Sequence, residues 1–145
     1  MRLTCTALAL ISLTGCGSFR ADPENQKTVP GERLLAYQQP IEGGSQLLVT
    51  RDVGMLGGGC YIAFYIDRKV AARIGIGEAA SFHVLAGEHV VGIGNDTQDT
   101  SFCGRGSLRR ELAVQVPGEG SQHLRIVSEA KSGFGIVTDL PPSQR

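Results

Sequence analysis

The chain has 145 residues, of which 14 are basic and 14 are acidic, and 41% are apolar. This composition is that of an ordinary globular protein and excludes a disordered or fibrous one. The balanced charge gives no electrostatic reason to expect nucleic acid as a partner. The chain has no Trp, so we expect a mainly aliphatic core, and its 20 Gly and six Pro favour many turns over long helices.

The first residues have the pattern of a secretory signal. Arg2 supplies a positive charge, and a run of about eleven mostly apolar residues follows it. A membrane-spanning helix needs about twenty apolar residues, so this run is too short to be one. The run ends in Leu13-Thr14-Gly15-Cys16, which resembles the bacterial lipoprotein signal known as the lipobox.

That resemblance implies that residues 1–15 are a signal peptide, cut off before Cys16, and that the Cys16 thiol carries a diacylglycerol thioether. Gly17 stands where lipoproteins retained in the inner membrane commonly have Asp. The implied location is therefore the periplasmic face of the outer membrane, with the lipid as membrane anchor. The alternative is an uncleaved, buried apolar segment with an incidental cysteine.

Residues 16–32 are predicted to comprise the lipidated Cys16 and a flexible tether. From Gly17 onward this stretch is polar, is interrupted by Pro and Gly, and shows no periodicity. Such a tether would reach roughly 20–25 Å. The folded domain is then expected at residues 33–139, with a short tail at residues 140–145.

The domain is predicted to be all-β, because short strand-like runs alternate with turn residues and no helical period is sustained. Asp67 and Arg68 are expected to form a two-residue hairpin turn. The strands are predicted at residues 46–51, 60–66, 69–74, 78–85, 89–93, 108–116, 121–127 and 135–138. This spacing is typical of a small β-sandwich or barrel, and we expect the sandwich.

Two cysteines remain once Cys5 has left with the signal and Cys16 holds lipid. In an extracytoplasmic domain the simplest interpretation of Cys60 and Cys103 is one disulfide. It would close a loop of about forty residues and contribute at most about 4 kcal/mol. A redox or metal-binding pair is the alternative, although no C-x-x-C motif supports it.

No catalytic constellation or cofactor motif is found. Gly75-Ile76-Gly77 begins a nominal dinucleotide pattern, but strand-like residues follow it instead of a helix. Two alternatives to a binding protein stay open. One is a small envelope hydrolase or chaperone using His83 or His89 with a carboxylate. The other is a metal carrier using these two histidines and His123, which lie on three different predicted strands.

The segment from Arg51-Asp52 through residues 54–59, which we call the glycine loop, to Cys60 has the pattern R-D-x-G-x-x-G-x-G-C. Over residues 46–127 the chain resembles small proteobacterial lipoproteins of unknown function with hairpins similar to PEGA-type β-domains. Arg68 replaces the usual turn Gly and Ala86 the usual Pro. The resemblance implies a PEGA-like or immunoglobulin-like sandwich on a lipid anchor, without an established activity.

Some members of that group are called isopropylmalate dehydratases, an activity that needs an iron–sulfur cluster held by cysteines. Only Cys60 and Cys103 are left for one, so we reject the enzyme. We predict a non-catalytic binding or structural domain that meets an envelope protein or the cell wall. Its binding surface is expected at loops 52–59 and 95–106, with Arg51, Asp52, Asn95 and Asp96 as candidate contact residues.

Overall fold

The structure is a computed structural model that describes residues 17–54 and 56–145, so the predicted signal and Cys16 lie outside the described residues. The described residues contain no α-helix, only single 3₁₀ turns at Gly31–Arg33, Phe102–Gly104 and Pro142–Gln144. The strands in chain order are β1 (Lys27–Thr28), β2 (Gly44–Arg51), β3 (Ile62–Ile66), β4 (Lys69–Ile74), β5 (Glu78–Leu85), β6 (Gly87–Asn95), β7 (Arg109–Val116), β8 (Ser121–Glu129) and β9 (Gly133–Asp139).

The strands form two sheets that pack face to face. One sheet has five strands in the order β1-β5-β2-β8-β9, and the other has four in the order β4-β3-β6-β7. Most neighbours are antiparallel, but β1 runs parallel to β5 and β2 runs parallel to β8. The predicted all-β sandwich is confirmed, and all eight predicted strands are present.

The core lies between the sheets because apolar and polar side chains alternate along the strands. Leu47 and Val49 of β2 point inward and are fully buried. Phe64 on one sheet stacks on Phe82 on the other, with ring centroids 5.4 Å apart. As expected, most of the other buried side chains are aliphatic.

The turn between β3 and β4 has the predicted two residues. Asp67 and Arg68 have φ values of 48° and 68°, both in the left-handed region. A type I′ turn needs this conformation at both central positions, and its twist suits the strands on either side. Arg68 therefore occupies a position that glycine adopts with less strain.

Residues 17–32 are not the flexible tether that their polarity predicted, and this expectation is corrected. Gly17 forms an antiparallel bridge with Glu129, and Phe19 forms one with Val53. Further along, β1 adds a parallel strand to the edge of β5. The bridges involve one or two residues each, so they produce no periodic pattern that a sequence could reveal.

The packed domain also includes residues that precede its predicted start at residue 33. Val29 is only 2% exposed and belongs to the hydrophobic core. Arg33 is buried too, and its guanidinium donates to both carboxylate oxygens of Glu78 at 2.7 and 2.6 Å. Its guanidinium carbon also lies 4.1 Å from the centre of the Tyr61 ring. The segment from Gly17 to Arg33 is therefore part of the sandwich.

The described residues include no helix with both the length and the apolar character needed to cross a membrane.

Val29→Ala tests whether this segment stabilises the domain. The substitution should lower the free energy of unfolding by about 1–3 kcal/mol, because it removes buried methyl groups and leaves a cavity. Urea denaturation of the folded protein measures the change. Thr28→Ala alters the exposed neighbouring side chain and should shift the midpoint much less. Equal midpoints for the two variants would show that the segment does not pack on the domain.

Candidate functional site

One end of the sandwich gathers the long loops of the chain, and we call it the disulfide end. Strands β2, β4, β6 and β8 finish here, while β3, β5, β7 and β9 begin here. The connections at this end are residues 52–61, 75–77, 96–108 and 130–132. Gly17 lies beside them through its bridge to Glu129.

A disulfide joins the two longest of these loops. Cys60 and Cys103 are bonded, with their Cα atoms 5.5 Å apart and 43 positions apart in the sequence. The predicted disulfide is therefore confirmed. The bond connects the end of the glycine loop to the 3₁₀ turn of loop 96–108, so the two loops are held against each other as the prediction required.

Arg51 organises the glycine loop from within. It is 2% exposed, and Nη1 donates to the carbonyl oxygens of Cys60 at 2.8 Å and Ile74 at 2.7 Å. A longer bond of 3.3 Å runs from Nη2 to the carbonyl of Gly57. Desolvation lowers the pKa of Arg51 to about 10, although the charge of Glu78 opposes this shift. The guanidinium therefore stays charged at neutral pH and binds loop carbonyls.

Asp52 connects the first residues of the domain to the sheet. It is 5% exposed, and its carboxylate accepts two hydrogen bonds from Arg125, at 2.8 and 2.5 Å. It also accepts a bond of 2.9 Å from the Ser18 hydroxyl. Such charge-assisted, paired bonds are the strong class of side-chain hydrogen bond. They fix the segment that starts at Gly17.

Asn95 and Asp96 fix the other long loop. The Asn95 amide donates to the Cys103 carbonyl at 3.2 Å and accepts from the Leu108 N–H at 2.7 Å, so it bridges both ends of the loop. Asp96 is 1% exposed, and its carboxylate accepts two bonds from Arg73 at 2.8 and 2.6 Å. Both side chains therefore hold the fold of loop 96–108.

The four predicted contact residues thus meet at one end of the molecule, but their polar groups are used within the chain. Arg51, Asp52 and Asp96 are buried. Their role in binding a partner stays a prediction, while the geometry gives them the role of holding loops. The outward side of this end carries apolar groups that the sequence reasoning missed: Phe19, Leu56 and Phe102, which are 65%, 40% and 75% exposed.

His89 forms a hydrogen-bonded pair with a carboxylate at the opposite end. Its Nδ1 lies 2.7 Å from Asp67, and its Nε2 lies 2.8 Å from the carbonyl oxygen of Leu85. Burial lowers the pKa of His89. The hydrogen bonds to these two acceptors and the charge of Asp67 together raise it by more, so the net shift is upward. A ring that donates from both nitrogens has no free lone pair, so His89 is a poor general base here.

The Ser121 hydroxyl oxygen lies 2.8 Å from Nε2 of His123, so the two side chains are hydrogen-bonded. His123 also borders a groove of about 480 Å³ on the outer face of the five-stranded sheet. Asp139 lies opposite it in register, but its carboxylate is bound by Arg20 and Arg145. No described carboxylate is thus hydrogen-bonded to His123 as the third member of a catalytic triad.

The three histidines lie on β5, β6 and β8 as predicted. Within residues 17–54 and 56–145, no three His, Cys, Asp or Glu side chains are grouped so that they could hold a metal ion.

No protein-family model, curated protein or solved structure matches this chain. The residues and their geometry are therefore the basis for assigning a function. Among the described residues the disulfide end is distinctive, because buried ion pairs and one covalent bond fix two long loops there.

The double variant Cys60→Ser/Cys103→Ser should be less stable by about 2–4 kcal/mol, because the disulfide restricts the unfolded chain. Chemical denaturation measures the change. The unaltered protein after full reduction serves as the matched control and should unfold at the same denaturant concentration as the double variant. If reduction leaves the unaltered protein unchanged, the bond makes no contribution and the loops are held by their ion pairs alone.

The Asp67–His89 pair should make stability depend on pH. Desolvation raises the Asp67 pKa, but its hydrogen bonds lower it by more, and the net shift is downward. The pair therefore stabilises the folded state most between about pH 4 and pH 6.5, the ordinary pKa values of the two groups. The contribution of the Asp67 carboxylate is lost in acid. The contribution of His89 is lost as the pH rises through its raised pKa. In His89→Gln, the loss of stability from about pH 6 to 9 should be smaller.

The pH profile of His83→Gln is the control for that variant. The His83 ring forms no hydrogen bond with another described side chain, so the profile should match that of the unaltered protein. Parallel profiles for all three proteins would show that the Asp67–His89 pair does not form in solution.

Proposed function

We propose that this chain is a lipid-anchored protein of the bacterial cell envelope, and that its β-sandwich is a non-catalytic binding or structural domain. The observation that carries the proposal is the Leu13-Thr14-Gly15-Cys16 motif, which stands immediately before a folded domain. Since Gly17 follows the cysteine in place of Asp, the proposed location is the periplasmic face of the outer membrane.

The Cys60–Cys103 disulfide supports an extracytoplasmic location. Structural disulfides persist in the periplasm and outside cells, whereas the cytosol keeps thiols reduced. Cys103 is 7% exposed and so is largely withdrawn from reductants as well. Both the bond and the lipobox therefore favour the same side of the membrane.

A non-catalytic role is supported by how the polar groups are used. The buried charges of Arg51, Asp52 and Asp96 are hydrogen-bonded within the chain, although Arg51 and Asp52 also border the groove on the five-stranded sheet. A fully satisfied polar network makes loops rigid, which suits a binding surface. We therefore propose that the disulfide end is the binding surface of the domain.

A small envelope hydrolase is the second candidate. The Ser121–His123 hydrogen bond beside the groove favours it, as does the Asp67–His89 contact. Against it, both ring nitrogens of His89 are engaged, and the carboxylate nearest in register to His123 is held by two arginines. The lipid-anchored binding domain accounts for more of the described residues.

Cys16→Ala should abolish incorporation of labelled palmitate when the full chain is produced in a bacterium that processes lipoproteins. The alanine removes the only thiol to which the lipobox would direct the diacylglycerol. Cys5→Ala is the matched control, since Cys5 lies within the proposed signal peptide, and it should keep the label. Label that survives in Cys16→Ala would overturn the proposed anchor.

A further inference from the structure

The proposed anchor is separated from the sandwich by a single peptide bond. Gly17 is bridged to Glu129, and the Ser18 N–H donates to the Ser128 carbonyl at 2.8 Å. Consecutive Cα atoms are about 3.8 Å apart. A lipid on Cys16 would therefore enter the bilayer directly beside the strand that ends at Glu129, and the domain would have no free chain by which to move away.

We propose that the disulfide end is a bilayer-docking surface, in which Phe19, Leu56 and Phe102 enter the boundary between lipid headgroups and acyl chains. This inference rests on the proposed lipidation of Cys16 and names the partner of the proposed binding surface. The partner is the phospholipid layer that holds the anchor. An envelope protein or the cell wall would then meet another part of the domain.

The three apolar side chains all lie near the anchor point. Phe19 is two residues from Gly17, and its backbone exchanges hydrogen bonds of 3.0 and 2.9 Å with Val53, immediately before the glycine loop. Leu56 belongs to that loop. Phe102 directly precedes Cys103, which is bonded to Cys60 at the end of the same loop. Exposed Phe and Leu side chains suit this depth of a membrane, because apolar groups of interfacial proteins are buried at the boundary between headgroups and acyl chains.

The surface is rigid before it meets a membrane. Arg51 binds the carbonyls of Gly57 and Cys60 in the glycine loop and at its end, and Asp52 binds both Ser18 and Arg125. The disulfide then joins the glycine loop to the loop that carries Phe102. Contact with lipid therefore requires little further ordering of the chain, which reduces the entropic cost of docking.

Charge contributes less to this docking than apolar contact does. The exposed basic residues near these loops are Arg105, Arg109, Arg110 and Lys131, and the acidic residues near them are Asp99, Glu111 and Glu129, of which Glu111 pairs with Arg109. Basic residues near the surface attract anionic headgroups only where their charge is not opposed by neighbouring acidic residues. With the charges nearly balanced, the anchor and the apolar side chains determine the orientation, so docking should depend only weakly on salt.

The absence of Trp from the sequence allows a direct test. Phe102→Trp and Leu85→Trp each give the lipidated full chain a single Trp. Leu85 is 55% exposed but ends β5, at the opposite end of the sandwich, so it is a matched control. Each variant is reconstituted into vesicles of phosphatidylethanolamine and phosphatidylglycerol, with and without brominated acyl chains, which quench Trp fluorescence at short range.

In brominated vesicles the Phe102→Trp variant should lose most of its fluorescence, and in both kinds of vesicle its emission should shift to shorter wavelength. The Leu85→Trp variant should keep its emission in both kinds of vesicle. Mass spectrometry of the same samples reports whether Cys16 is acylated, which tests the proposed function separately. Acylated protein with an unquenched Phe102→Trp, or with a quenched Leu85→Trp, overturns the docking while leaving the anchor intact. Missing acylation overturns both.

Discussion

Two adjacent residues at the end of β2 hold the disulfide end together. Arg51 and Asp52 follow the alternation of the strand, so the first points inward to the glycine loop and the second points outward to Ser18 and Arg125. Removing Asp52 would leave the Arg125 guanidinium without its counterpart, and losing one partner of a buried ion pair costs about 3–5 kcal/mol. The strand end thus fixes the loop on one side and the start of the domain on the other.

The fixed start of the domain changes what an anchor at Cys16 would do. A tether of sixteen polar residues would let the domain move freely above the membrane. The bridge between Gly17 and Glu129 instead joins any anchor rigidly to one end of the sandwich. A lipid attached there would keep this end of the sandwich close to the headgroups, because no free chain separates the two.

The sequence predicted those features that local patterns encode. Alternation indicated the strands, paired turn residues indicated the hairpin at Asp67–Arg68, and simple cysteine counting indicated the disulfide. It did not predict the packing of residues 17–33, since β1 is two residues long and Val29 is a single buried side chain in a polar stretch. Recognising these contacts requires knowing which distant strand has a free edge.

The sequence predicted where the candidate site lies, but it did not predict the contacts within the site. Glycines and a cysteine marked loops 52–59 and 95–106, yet the ion pairs Asp52–Arg125 and Asp96–Arg73 join residues far apart in the chain. Polar residues in a loop are as compatible with solvent as with burial, so the sequence alone offers Arg51, Asp52, Asn95 and Asp96 as candidate contact residues. Phe102 was visible in the sequence, but only the fold shows that it is exposed at the end where the chain begins.

Docking at the disulfide end would leave the opposite end as the surface presented to the periplasm. A mature lipoprotein with several acyl chains is already firmly held, so three apolar side chains add little to membrane affinity. Their effect would be on orientation, since a single point of attachment leaves rotation free and further contacts remove it. The end away from the membrane carries Ile41, Leu85 and Val90, which are 41%, 55% and 39% exposed. Fixing the domain on the bilayer therefore holds this second apolar surface at a constant height, a sandwich length above the headgroups.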